Sequence, residues 1–338
     1  MDRNERTHPF SEAFVESLRS RITGELAMTY PEPGPLYDRF SSWLSLDRDQ
    51  LLFHSGSDLA IKAVFETYIS AGDKILLHLP GYAMYKVYAN MFQANAEFME
   101  YDADLRFDID SYTDRLDGSY RMVVLENPNG FTGNAHRMDA ILRLAEKAQK
   151  HGVILLADEA YFHFIDETAA DLIGRFDNLI VVRTFSKAFG LAGLRAAYLL
   201  SQRRNIENLY KVKPMHELNA AAIAAIDTLL DHEGEFSRFI AETAVSREHL
   251  ARGLNSLGVR TSESRANFLA AKFGPALDGA AVSDHLKQFG FLIRRPFREK
   301  HLKDWSRVGT LPIAQQTEML SHLREHAERR QKTQSTRP

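Results

Sequence analysis

An α/β fold is what this sequence predicts: three layers, α/β/α, around a mostly parallel sheet, followed by a smaller α+β C-terminal domain. Three observations lead there. Between residues 51 and 200 short apolar runs alternate with helical stretches of apolar periodicity. Several runs are apolar throughout, such as Val153 to Ala157 (VILLA) and Asn178 to Val182 (NLIVV), the pattern of strands covered on both faces. At 338 residues the chain is also long for a single core.

Residues 1–45 read as an N-terminal arm, with one weakly amphipathic segment from Phe14 to Ile22. This arm is expected to join the small domain. Tyr30-Pro-Glu-Pro-Gly-Pro35 is expected to be extended, because its three prolines lack donors and restrict the preceding residues. It serves either as a plain linker or to fix where Tyr30 points. Residues 46–230 form the large domain. Its strand candidates are Leu51 to Phe53, Lys74 to Leu79, Ala96 to Tyr101, Arg121 to Glu126, the two runs above, and Leu194 to Leu200. Helices are expected from Leu59 to Ile69 (with Ser57 or Asp58 as cap), from Tyr82 to about Phe92, from His136 to Lys150, and over most of Gln202 to Leu230. In residues 231–330, Phe236 to Leu257, Ala280 to Phe289 and Ile313 to about Arg329 read as helices. Asn267 to Leu269, Phe291 to Arg295 and Trp305 to Val308 read as strands. The polar tail 331–338 is expected to be disordered.

Composition narrows the function. A net charge of −3 gives no reason to expect nucleic acid or an anionic membrane as partner. No stretch approaches the ~20 apolar residues of a membrane span, and the N-terminus has no signal-like apolar run. A cytoplasmic location is the default expectation. There is no cysteine, hence no thiolate metal site or cysteine nucleophile. The 13 histidines show no H-E-x-x-H spacing, so no metal is expected.

The chemistry concentrates in Arg183-Thr-Phe-Ser-Lys-Ala-Phe-Gly-Leu-Ala-Gly-Leu-Arg195. Lys187 follows a buried strand, where desolvation disfavours an ammonium, and a neutral lysine forms an imine with an aldehyde. Thr184, Ser186 and Arg195 around it suit a phosphate dianion. An aldehyde carrying a phosphate describes pyridoxal phosphate. Asp158, ending the VILLA run, offers a carboxylate for a pyridinium nitrogen, although a lone Asp there also serves as a helix cap. Tyr82 after Pro80-Gly81 offers a ring to stack, or ordinary core. The Gly56-Ser57-Asp58 turn opens a helix whose amides suit an anion.

In joint order these motifs resemble the class I/II aminotransferases, pyridoxal-phosphate enzymes of fold type I, and most closely the branch of the histidinol-phosphate aminotransferases, which includes the threonine-phosphate decarboxylases. The resemblance runs from about Tyr30 to Leu320. It implies that Lys187 carries the cofactor as an internal aldimine and moves the Cα proton. It implies that Asp158 pairs with the ring nitrogen, Tyr161 bonds the phenolic oxygen and Tyr82 stacks. Gly56, Ser57, Asp58, Thr184, Ser186 and Arg195 would surround the phosphate, and Asn127 would belong to the cofactor site. Tyr30 would reach the partner subunit's phosphate, which implies a homodimer. Arg307 and Arg294 would hold an anionic group of the substrate. The reaction so implied moves an amino group between an amino acid, or an amino-alcohol phosphate, and a 2-oxo acid.

Departures from the family pattern keep alternatives open. The loop Asn127-Pro-Asn-Gly-Phe-Thr-Gly133 has Gly130 where the family has an asparagine that donates to the phenolic oxygen, and Phe131 where it has proline. Losing that donor is expected to raise the basicity of the imine, unless Asn127 or Asn129 compensates. The Asn-x-Asn-Pro-x-Gly signature is missing, with only His8-Pro-Phe10 similar to it. His216 stands where the branch has asparagine, and Arg307-Val-Gly-Thr310 is shorter than Arg-Ile-Thr-Val-Gly-Thr. Decarboxylation, elimination or replacement, cyclisation or oxidation on the same cofactor is therefore the competing reading. A non-catalytic binding protein is disfavoured by the intact Lys187, Asp158, Tyr161 and Arg195.

Overall fold

The structure is a computed structural model that describes residues 2–274 and 277–335. Seven strands form the main sheet: β1 (Leu51–His54), β2 (Lys74–Leu79), β3 (Asn95–Glu100), β4 (Tyr120–Glu126), β5 (Ile154–Asp158), β6 (Leu179–Thr184) and β7 (Ala197–Ser201). Their spatial order is β1-β7-β6-β5-β4-β2-β3. β7 runs antiparallel to β1 and β6, and the other neighbours are parallel. The link from β6 to β7 contains no α-helix, so the chain turns back rather than crossing over.

The helices are α1 (Glu12–Arg21), α2 (Gly24–Met28), α3 (Gly34–Leu44), α4 (Ser57–Tyr68), α5 (Ala83–Met91), α6 (Ile109–Asp114), α7 (Met138–Lys150), α8 (Arg203–Tyr210), α9 (Ala220–Asp231), α10 (Gly234–Ser256), α11 (Gly279–Lys287) and α12 (Ile313–Ser335). Successive strand residues face opposite layers. On β5, Ile154 and Leu156 pack with α4, α5 and α8, through Ile61, Tyr85 and Leu209 among others. Leu155 and Ala157 pack on the other side with α7 and α9, through Leu144 and Ile226. A second sheet of β8 (Arg260–Thr261), β9 (Phe268–Lys272) and β10 (Trp305–Gly309) is antiparallel, in the order β10-β9-β8. Its apolar cluster joins Leu269 and Val308 to Leu250, Val282 and Leu320 of α10, α11 and α12.

Several expectations need correction. Residues 291–295 form no strand. Arg294 N–H donates to Arg307 O at 2.9 Å and Phe297 N–H to Trp305 O at 2.9 Å, but Pro296 between them has no donor and the ladder stops. The arm meets the smaller sheet and its ends through Asp2 O, Asn4 O and Thr7, bonded to Arg307, Asn267 and Thr310, and meets α10 through Arg6 and His8. Phe14 of α1 and Phe40 of α3 are buried in the large sheet's cluster. Pro35 lies inside the first turn of α3, where no donor is needed. The tail from residue 331 is helical to Ser335, and residues 336–338 lie outside the described part. No helix among the described residues is long and apolar enough to cross a membrane.

Candidate active site

A cavity of about 570 Å³ lies at the carboxyl ends of the parallel strands, where open α/β sheets gather ligand groups. Of the residues expected at a site, it brings together Ser57, Asp58, Tyr82, Asp158, Tyr161, Thr184, Ser186, Lys187, Arg195, Arg294 and Arg307. Gly56, Asn127 and Tyr30 do not line it. Gly56 lies directly beneath Arg195. Asn127 braces its own loop, its Oδ1 accepting from His136 N–H at 2.7 Å while Nδ2 finds no partner among the described residues. Tyr30 is 78% exposed and stacks on His216, with centroids 4.5 Å apart.

One end of the cavity is made for an anion. Gly56 is the N-cap of α4, with φ +91°, and no side chain caps the helix, so its first-turn amides remain available. Ser57 and Asp58 therefore sit inside the first turn rather than capping it. A Cβ on Gly56 would meet Arg195 Nη2 at 2.7 Å, so glycine is what lets the guanidinium lie against the helix start. Arg195 adopts a left-handed backbone, φ +52°, and stands 3.5 Å from Asp58 Oδ2. Thr184 Oγ1 donates to Ser186 Oγ at 3.0 Å, which places two hydroxyls beside it.

Next to the anion end sits Asp158, a buried carboxyl that accepts from Tyr85 Oη–H at 2.7 Å and Ala160 N–H at 3.0 Å. Burial first, and then the neighbouring Glu126, push its pKa well above the usual carboxylate range. Burial and Asp158 raise Tyr85 far above its ordinary value, so the phenol stays a donor. Lys187 Nζ donates to Arg3 O at 2.7 Å and lies 5.7 Å from the Tyr161 ring centroid. The Tyr161 hydroxyl accepts from Asn4 Nδ2 at 2.7 Å. The Tyr82 hydroxyl donates to Asp58.

The far end is assembled from distant segments. Arg307 on β10 donates to Gly130 O at 2.5 Å and to Asp2 O at 2.7 Å, while its Nε has no partner among the described residues. Arg294 lines the same end and has no ion-pair partner among the described residues. Phe131 packs edge-on to Phe297 at 5.8 Å and lies under the Arg307 guanidinium at 5.2 Å.

Sequence reasoning missed Tyr85, Glu126 and the segment from Asp2 to Glu5. Glu126 carried the same signal as Asp158, an acidic residue ending an apolar strand. Tyr85 stands one helical turn after Tyr82 on α5. Nothing local marks residues 2–5, because they reach the cavity only through the tertiary fold.

A lysine, a buried carboxyl and an anion cradle facing one cavity define the pyridoxal-phosphate enzymes of fold type I, and the Gly56–Arg195 cradle fits the cofactor's phosphate. A family model described as aminotransferase class I and II matches residues 36–323. The chain belongs to that family, whose members use pyridoxal 5′-phosphate to move an amino group between an amino acid and a 2-oxo acid. It is 30% identical, over 96% of its length and 92% of the relative's, to a histidinol-phosphate aminotransferase of Caldanaerobacter subterraneus subsp. tengcongensis. Its fold matches a histidinol-phosphate aminotransferase of Sinorhizobium meliloti in complex with pyridoxal-5′-phosphate (TM-score 0.87, 21% identity, 97% of this chain and 90% of that one). It also matches an L-threonine-O-3-phosphate decarboxylase of Porphyromonas gingivalis (TM-score 0.82, 22% identity, 97% and 98%).

Proposed function

We propose that this aminotransferase acts on a phosphorylated amino alcohol or amino acid, with histidinol phosphate the first candidate. The relatives' names suggest the substrate. The observation that carries the reading is the pair of arginines, Arg307 and Arg294, at the end of the cavity away from the anion cradle. The cavity thus has cationic groups at both ends, one for the cofactor's phosphate and one for an anionic substrate.

When bound, pyridoxal phosphate supplies an electron sink for the bond broken at the substrate's Cα. Lys187 would anchor it covalently and is placed to take up the Cα proton as general base. Asp158, with Tyr85 donating to it, would keep the ring nitrogen protonated. Tyr161 would donate to the phenolic oxygen, Tyr82 would stack on the ring, and the first turn of α4 with Thr184, Ser186 and Arg195 would hold the phosphate. Asn127 would support the site by bracing its own loop. Residues 46–230 serve as the cofactor domain and residues 231–330 as the small domain, with α1 and α3 of the arm packed on the former. Exposed Met28, Tyr30 and Met215 support a homodimer in which Tyr30 reaches the partner subunit's phosphate site. The enzyme would work in the cytoplasm.

The test is a spectral screen of the loaded protein. Histidinol phosphate, threonine phosphate and unphosphorylated amino acids are added singly, and visible absorbance and carbon dioxide are followed. The expected result is bleaching by a phosphorylated donor without gas, restored by a 2-oxo acid. Bleaching only by unphosphorylated donors overturns the substrate reading, and carbon dioxide release in place of bleaching overturns amino transfer.

A further inference from the structure

Glu126 ends β4 beside Asp158 at the end of β5, and the two are paired in register. Its carboxyl is buried and lines the cavity. Oε1 accepts from Tyr82 N–H at 2.5 Å and Oε2 from Gly130 N–H at 3.1 Å, so the group ties together the two loops that carry the expected stacking ring and the altered family motif. The point where a side chain on residue 130 would begin is 3.3 Å from Glu126 Oε2 and 3.9 Å from the Tyr161 hydroxyl. Glu126 and Tyr161 thus flank the spot from which the missing asparagine would reach. The other asparagines of the loop do not serve. Asn129 accepts from Phe131 N–H, Thr132 N–H and the Thr132 hydroxyl and donates to Pro80 O, and Asn127 does not line the cavity.

We propose that Glu126, as a neutral carboxylic acid, replaces the absent asparagine and donates its proton to the cofactor's phenolic oxygen beside Tyr161. This deepens the reading above and rests on it. Two adjacent buried carboxyls, Glu126 and Asp158, favour keeping one proton between them, and with Asp158 paired to the ring nitrogen that proton falls to Glu126. Asp158 on β5 is a second acid, and His78 on β2, 4.0 Å from Oε1, is held neutral because burial lowers its pKa to about 4. Tyr82, Tyr85, Tyr101 and Tyr112 are neutral phenols. Among the described residues, Arg307 on β10 is the cation that acts on Glu126, and it already donates to Gly130 O and Asp2 O. Burial raises the Glu126 pKa against the two amide donors and Arg307, which lower it. A phenolate brought alongside raises it further.

The sign of one shift tests this. In the loaded protein, the pH midpoint of the Lys187-bound cofactor's visible absorbance reports how well the phenolate is stabilised. If Glu126 donates, Glu126→Ala removes a donor and raises the midpoint by about one pH unit, and adding Gly130→Asn brings it back. Glu126→Gln, which keeps a donor, stays close to wild type. If Glu126 is an anion instead, Glu126→Ala and Glu126→Gln both remove a negative charge and lower the midpoint. A lowered or unmoved midpoint in Glu126→Ala overturns the proposal, and if that variant does not fold, a lowered midpoint in Glu126→Gln does so. A wild-type protein that takes up no cofactor removes the reading of the site itself, an outcome distinct from a visible absorbance with an unmoved midpoint.

Discussion

The two ends of the cavity are built in different ways. The cofactor end comes from strand termini of one sheet and the turns that follow them: Asp158 ending β5, Thr184 ending β6 with Ser186 and Lys187 just beyond, and Ser57 and Asp58 after β1. Parallel neighbours in one sheet present their carboxyl ends side by side, so each group is placed by local structure. The substrate end joins Asp2 and Arg3, Gly130 and Phe131, Arg294 and Arg307, which are far apart in sequence and meet only when the two sheets and the arm pack together. The cofactor end is therefore set mainly by the large sheet, and the arm touches it where Lys187 donates to Arg3 O and Asn4 donates to the Tyr161 hydroxyl. The substrate end can change whenever a loop or the arm changes.

Removing Lys187 gives the largest effect that separates the ends. Lys187→Ala is expected to lose at least the roughly 10²–10⁴-fold that a positioned general base contributes, together with the visible absorbance of the anchored cofactor. Near-normal turnover would mean that the lysine at the end of β6 is not the reactive group. At the other end, Arg307→Gln removes a buried cation with two carbonyl partners. A hydrogen bond from Arg307 to an anionic group of the substrate is worth about 1.5–3 kcal/mol, so KM for a phosphorylated donor should rise by about 10–100-fold. The cofactor spectrum should stay that of wild type. A lost spectrum would show that the two ends are not separable.

How much was legible follows the same division. The strand ends and their chemical groups were readable because apolar runs ending in Asp158, or followed at once by Thr184, Ser186 and Lys187, are local signals. Arg307 and Arg294 were identified from short motifs, but not their contact with residues 2–5, which no periodicity encodes. The strand expected at Phe291 to Arg295 failed because Pro296 interrupts pairing that apolar character alone suggested. The arm is expected to contribute to the small domain: Asp2, Arg6 and His8 bond to β10 and α10, whereas Phe14 and Phe40 bury against the large sheet. Glu126 ends an apolar strand as Asp158 does, but its place beside the Tyr82 and Gly130 amides is set by loops that meet only in the fold.

The smallest effect concerns the cofactor end without its cofactor. The folded-state pKa of Asp158 is raised by burial and by Glu126, whereas in the unfolded chain it ionises near about 4. Above that pH the unfolded chain releases a proton that the folded chain retains. The contribution of Asp158 to stability is thus full at acid pH and is lost as pH rises towards neutrality. His54, His78 and His136, each lowered to about 4 by burial, act in the opposite sense, losing stability as pH falls. The net slope of the wild type mixes both, so only the difference from Asp158→Asn is diagnostic. Cofactor-free Asp158→Asn should gain thermal stability relative to wild type as pH rises from about 4 to neutral, by about 1–2 °C per kcal/mol for a chain of 338 residues. It should bind pyridoxal phosphate more weakly at every pH. Parallel melting curves for the two proteins across that range would mean that Asp158 is already ionised and solvated in the empty cavity. Its ion pair with the ring nitrogen would then add little to cofactor affinity.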